Sequence, residues 1–492
     1  MKNEVQLIAY VDRLGGGNLT DLQALLAGPL EGLFGCVHAL PFFYPIDGAD
    51  TGFDPIDHLA VDQRLGDWDD IRRLARECDV AADLIVNHVS AQSAQFADVL
   101  EKGDDSQFAS MFLTMEKVFP NGLSEDDLNR IYRPRPSSPF VTLSLGDGSS
   151  RAFWATFTEQ QIDLDVGDPN AIAYIKSILE KLAANGVSLV RLDAIGYAIK
   201  TPGTSCFMTP ETYDFIDVVT GWAHEVGLEV LAEIHTHYEQ QIEAAKHVDY
   251  VYDFALPPLV LHSIFEADAQ ALKDWFAISP RNVLTVLDTH DGIGVMDVGP
   301  DRMDPTTKGL IAPEFIDSMV EKIHTNSGGV SRRASRHDVG NLDLYQVNCT
   351  FYDALAGDDR AYLLARLIQF FAPGIPQVYY VGLFASHNSE ALLDATGAGR
   401  DVNRHYYTRR EIDERLAMPV VQSLLAMIRF RNRHPAFDGD FSVLYSAPHT
   451  LHIRRQNGAH WAEARVDLRT RRYKVTCSDA DGTNPLALQM ST

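Results

Sequence analysis

Short runs rich in β-branched and other apolar residues recur along the chain at 5–10, 33–40, 80–86, 187–192, 228–232, 250–252, 283–287 and 377–381. Most are followed by stretches with apolar residues at helical spacing, at 67–77, 170–184, 210–226, 239–248, 268–277, 359–371 and 419–432. Alternation of this kind predicts parallel strands with helices packed outside them, and eight such units predict an α/β chain folded as a (β/α)8 TIM barrel. About 100 residues separate the third and fourth runs and about 90 the seventh and eighth. Ordinary connections are far shorter, so each interval is expected to hold an inserted domain. Both insertions leave from C-terminal strand ends, the face on which barrel enzymes carry their active sites. From about residue 436 the period changes to two, as in 461–468, where small and apolar residues share one face and Glu463, Arg465 and Asp467 the other. This predicts a closing antiparallel β domain. The expected division is barrel at 1–86, 167–291 and 357–435, insertions at 87–166 and 292–356, and the β domain at 436–492.

Composition narrows the partners. Of 492 residues, 46% are hydrophobic and 22% charged, as in ordinary globular proteins, with no repeat or low-complexity tract. The net charge of −26 repels polyphosphate backbones and anionic membranes, so neither nucleic acid nor membrane is an expected partner. Any anionic substrate must be captured by a local Arg cluster. The five cysteines are dispersed and form no Cys-x-x-Cys, which predicts neither a disulfide framework nor a zinc ribbon and fits a cytoplasmic location. The opening apolar stretch is broken by Asp12 and Arg13, so no export signal is expected. The charge-free stretch 367–385 contains Pro373, Gly374 and Pro376 and reads as a helix end followed by a strand. Gly15-Gly16-Gly17 lacks the ending of a phosphate loop and reads as a turn.

Chemistry gathers at strand ends. In the fourth run the side chains at 187, 189, 191 and 193 share a face, which aims Arg191 and Asp193 together into the top of the barrel. The third run leads to Asn87 and His88, the fifth ends at Glu233 and His235, and the seventh at His290 and Asp291. A single Asp at a strand end is usually a helix cap. Four polar strand ends on one barrel face instead predict a pocket holding Asp193, Glu233 and Asp291. Converging carboxylates repel, so burial and like charge should raise one pKa while Arg191 keeps another group ionised. His235 and His237 beside Glu233 offer metal ligation as an alternative, but no third ligand sits at a diagnostic spacing, and no metal or other cofactor is expected.

Asp83 to His88, Arg191-Leu-Asp193-Ala, Glu233 and His290-Asp291, in this order, resemble the four short sequence regions of the α-amylase family of retaining glycoside hydrolases and transglycosylases. Over nearly the whole chain the resemblance narrows to the sucrose phosphorylases, through LPFFYPIDGADTGFDPIDH (40–58), IYRPRPSSPF (131–140), GTSCFMTPETYDF (203–215), VYDFALPPLVLH (251–262), LDTHDGIGV (287–295), NLDLYQVN (341–348) and GRDVNRHYY (399–407). Residues 327–340 and the C-terminal β domain are the least similar parts. The resemblance implies sucrose and inorganic phosphate as substrates and is compatible with a homodimer. It implies Asp193 as nucleophile, Glu233 as general acid and Asp291 as the third carboxylate that binds sugar hydroxyls. Arg191 would orient Asp193 and hold it ionised.

Matching positions place Asp50, Phe53, His88, Gln161, His290 and Arg400 around glucose. Tyr197, His235, Pro134, Arg135, Leu342, Asp343, Tyr345 and Gln346 fall on the acceptor side, with Arg133 and Arg135 as phosphate candidates and Arg135 favoured by the match. Relatives in the group use phosphorylated sucrose, glucosylglycerate or glucosylglycerol; Asp343-Leu-Tyr-Gln346 looks like the plain sucrose form. A sucrose hydrolase or transglucosylase would share the three carboxylates, and a non-catalytic binding barrel is the alternative outside enzymes.

Overall fold

The structure, a computed structural model, describes residues 1–48, 50–133, 137–302, 304, 306–335, 346–479, 482 and 485–488. Eight parallel strands close into a barrel: Gln6–Ala9, Cys36–Ala39, Asp79–Ile85, Leu189–Asp193, Glu229–Ala232, Tyr250–Asp253, Val283–Thr285 and Ile375–Tyr379. Each overlaps one of the eight apolar runs. Closure is direct: Gln6 registers with Gln377 of the last strand and with Cys36 of the second.

The helical patterns appear as Trp68–Leu74, Pro169–Ala184, Pro210–Glu225, Tyr238–Ala244, Gln270–Ile278, Asp359–Phe371 and Pro419–Arg433. The stretch 367–385 is a helix end and a strand, as its prolines predicted, and no described helix is long and apolar enough to cross a membrane. One further helix, Leu256–Glu266, carries no amphipathic stripe because Leu256 to Leu261 are all buried. A helix apolar all round gives no periodic signal.

Between the third and fourth barrel strands, His88–Ser90 pairs with Gln161–Asp163, and Phe140–Ser144 forms a hairpin with Ser150–Trp154. After the seventh strand, Ile293–Gly294 pairs with Gln346–Val347, and between them run the helices Pro313–Asn326 and Val330–Ala334. Both excursions rise on the same barrel face.

Inside the barrel, strand alternation produces layers. Cys36, Ala81, Leu189, Leu231, Tyr252 and Leu284 form an apolar cluster distinct from the larger core between barrel and helices. Two residues further along the same strands come His38, Asp83, Arg191 and Glu233, one layer nearer the C-terminal end. His38 Nε2 lies 3.0 Å from Asp83 Oδ2, and Arg191 donates to Asp83 Oδ1 at 2.5 Å. Tyr252 donates to Gln377 at 2.9 Å, and Gln377 to Gln6 at 3.1 Å. Burial opposes ionisation of Asp83, but His38 and Arg191 outweigh it and hold the carboxyl at about 2.

The C-terminal unit is a five-stranded antiparallel sheet in chain order, Asp440–Leu444, Thr450–Asn457, His460–Asp467, Arg472–Ser478 and Pro485–Leu488. Leu451, Ile453, Ala462, Ala464, Val466 and Val475 face inward, as the alternation predicted. Arg455, buried, donates to the carbonyls of Ala372 and Phe437 at 3.2 and 2.8 Å, which fastens the sheet to the turn before the last barrel strand. Phe441 packs on Phe276, and Lys273 donates to the carbonyls of Ser446 and Ala447.

Candidate active site

Asp193 is the last residue of the fourth barrel strand, and Ala194 behind it adopts a left-handed conformation (φ +54°), which turns the chain away at once and leaves the carboxylate at the strand tip. Arg191 approaches from the same strand face, as the parity of positions 191 and 193 requires. Its Nη1 bonds Asp193 Oδ1 at 2.9 Å and Asp83 Oδ1 at 2.5 Å, and its Nη2 lies 3.5 Å from Glu233 Oε1. One guanidinium thus serves three carboxylates. Burial pushes Asp193 up, to about 8; Arg191 works against the shift, and the charges of Glu233 and Asp83 add to it. Arg191 thus opposes the effect of burial at Asp193, and its charge is shared with Asp83 and Glu233.

Asp291 is held oppositely. Arg400 approaches it at 3.0 Å and Arg404 at 3.6 Å. Burial would raise the carboxyl, but Arg400, His290 and Arg404 keep it far below the usual carboxylate range. Arg404 also donates to the carbonyl of His290 at 2.9 Å and to Thr51 Oγ1 at 2.9 Å, joining the seventh strand's end to the loop that carries Asp50. Beneath these residues Arg366 bonds both oxygens of the buried Asp288. A Cβ at position 382 would overlap both partners, so this brace requires Gly382.

The strand ends surround a solvent-open cleft of about 630 Å³, and Asp50, Phe53, His88, Gln161, Asp193, Tyr197, Glu233, His290, Asp291 and Arg400 all line it. Gln161 Nε2 donates to Asp50 at 3.2 Å and lies 3.0 Å from His88 Nε2, which is also 3.0 Å from the carbonyl of Phe53. Phe53 stacks on His290 with ring centroids 5.0 Å apart. Burial keeps both histidines below their ordinary basicity, so they meet a ligand as neutral hydrogen-bonding groups. Tyr197 forms one wall with Phe207, at 4.6 Å. His235 stands at the edge, its Nε2 3.4 Å from Glu233 and 3.2 Å from Gln346 Nε2. Pro134, Arg135, Leu342, Asp343 and Tyr345 lie outside the described residues.

Phe157 also lines the cleft, and Arg404 and Asp297 touch its residues. None was singled out from sequence. Arg404 sits within the quoted 399–407 motif and could have been found there; Phe157 and Asp297 carry no local signal.

Glu233, His235 and Asp291 bring ligating atoms within 4.8 Å of one another. The donor set does not suit a cation, because Arg191 and Arg400 already place positive charge against two of its three members. His237, the other candidate ligand, caps the helix Tyr238–Ala244 and is directed at the carbonyl of Lys308 at 3.2 Å.

Residues 36–257 match the family described as Alpha amylase, catalytic domain. The sucrose phosphorylase of Agrobacterium vitis is 56% identical over 97% of this chain and 98% of its own, and that of Bifidobacterium adolescentis 51% identical over 90% and 88%. The crystal structure of sucrose 6F-phosphate phosphorylase from Thermoanaerobacter thermosaccharolyticum superposes with a TM-score of 0.91 at 37% identity, covering 99% of this chain and 98% of that one. The chain belongs to the α-amylase family, within its group of sucrose phosphorylases and related phosphorylases.

Proposed function

We propose that the protein is a sucrose phosphorylase, an enzyme that converts sucrose and inorganic phosphate reversibly to α-glucose 1-phosphate and fructose. The observation that carries the reading is the convergence of Asp193, Glu233 and Asp291 on one cleft, with Arg191 beneath them, in a chain 56% identical to a sucrose phosphorylase.

In this reading Asp193 attacks the anomeric carbon of glucose while Glu233 gives a proton to the departing fructose oxygen. Phosphate then displaces Asp193, and two inversions retain the configuration. Asp291, ionised throughout by its two arginines, binds sugar hydroxyls and strengthens its hold as positive charge develops on the ring. Asp50, Phe53, His88, Gln161, His290 and Arg400 complete the glucose pocket. Tyr197, His235, Gln346, Arg135, Leu342, Asp343 and Tyr345 serve the acceptor side, and the work is done in the cytoplasm without a cofactor.

The test is incubation with sucrose, with and without phosphate. Phosphate-dependent formation of α-glucose 1-phosphate is expected; free glucose at the same rate in both arms would make the enzyme a hydrolase. Arg135→Ala is expected to raise the phosphate needed for half-maximal product by at least about tenfold, the equivalent of one charge-assisted hydrogen bond, with hydrolysis rising in parallel. An unchanged ratio of free glucose to glucose 1-phosphate would place phosphate elsewhere.

A further inference from the structure

Behind the acceptor side of the cleft, a second carboxylate reaches the histidine that faces Glu233. Asp297 lies on the single turn Met296–Val298 and is fully buried. Its Oδ1 accepts from Gln241 Nε2 at 2.9 Å, and Gln241 also donates to the carbonyl of Thr236 at 2.8 Å, which fixes the carboxylate's orientation. Its Oδ2 faces His235 Nδ1 at 3.5 Å. The imidazole lies flat on Phe254, ring centroids 3.7 Å apart, and directs Nε2 toward Glu233 Oε1 at 3.4 Å. Bare backbone at Gly294 makes the approach feasible. A Cβ there would overlap Asp297 Oδ2 and stand 3.4 Å from His235 Nδ1.

We propose that Asp297 is a positioning residue for the acceptor half of the reaction, holding His235 with its Nδ1 proton toward the buried carboxylate and a basic Nε2 toward Glu233 and the incoming anion. A carboxylate on one ring nitrogen fixes the tautomer and raises the basicity of the other. Burial works against charge on His235, yet Asp297, Glu233 and Asp291 together bring its pKa above the ordinary imidazole value.

The inference rests on the phosphorolysis reading. Once fructose has left with its proton, Glu233 and Asp291 are both anionic, and a phosphate entering beside them is repelled. Positive charge on His235 offsets that repulsion. The bond between the anomeric carbon and Asp193 breaks as the bond to a phosphate oxygen forms, and the proton on that oxygen passes to Glu233, which resets the acid.

The experiment measures two quantities: the ratio of free glucose to glucose 1-phosphate against phosphate concentration, and fructose release without phosphate. The proteins are wild type, Asp297→Asn, Gly294→Ala, His235→Gln and the Asp297→Asn/His235→Gln double variant. Asp297→Asn is expected to raise the phosphate concentration for equal partition by about ten- to a hundredfold, with fructose release falling by a smaller factor. The double variant should partition like His235→Gln alone, because Asp297 acts through the imidazole. Gly294→Ala keeps every charge and should shift partition in the same direction, so it carries the test if Asp297→Asn does not fold. Unchanged partition, an equal loss in both half-reactions, or additive effects in the double variant would overturn the assignment. Wild-type protein that makes no glucose 1-phosphate would instead overturn the phosphorolysis reading on which it stands.

Discussion

Asp193→Asn is expected to lose glucosyl transfer from sucrose by about 10⁴-fold or more, the scale seen when a covalent nucleophile is removed. The amide keeps the volume at the strand tip and can still accept from Arg191 Nη1, which now sits 2.9 Å from the carboxylate oxygen. What disappears is the nucleophilic oxygen, so loss of rate at unchanged thermal stability is the expected pairing. The measurement is fructose release, with a melting curve as control. Substantial residual activity, with glucose still delivered to phosphate, would remove Asp193 from the nucleophile's place and return the choice to Glu233 and Asp291.

The second large effect separates acid from nucleophile. Glu233→Gln is expected to slow cleavage of sucrose by about 10²- to 10⁴-fold, the usual contribution of a positioned proton donor. A glucosyl donor whose leaving group departs without a proton, such as α-glucosyl fluoride, should be affected far less. Arg191 Nη2, at 3.5 Å from Glu233, cannot take over this role, because a guanidinium does not give up a proton at neutral pH. Equal losses on both donors would mean that Glu233 binds the sugar rather than protonating the leaving group.

The barrel was readable because its eight strands are short apolar runs with clear ends, and the period of two along 187–193 was enough to aim Arg191 and Asp193 into one space. Contacts made between distant segments were not readable. Asp297 is one acidic residue in an unpatterned stretch, and only folding sets it 3.5 Å from His235, while Leu256–Glu266 hides from periodicity by being buried on every side. The ionisation of Asp193 shows a different gap. Sequence identified the cation beside it, but the share of that cation taken by Asp83 and Glu233 depends on distances that exist only in the closed barrel.

The buried Arg455 gives the C-terminal sheet a meaning for recombination. Its guanidinium is served by carbonyls on both sides of the junction, Ala372 from the barrel and Phe437 from the sheet's approach, and Phe371 packs on Phe437 with rings 5.1 Å apart. A crossover placed at the apparent boundary near residue 436 would part the buried cation from one of its carbonyl acceptors, Ala372, and split the Phe371–Phe437 pair between two parents. Chimeras between relatives should therefore exchange the helix Asp359–Phe371, the last barrel strand and the entire sheet as one inherited cassette.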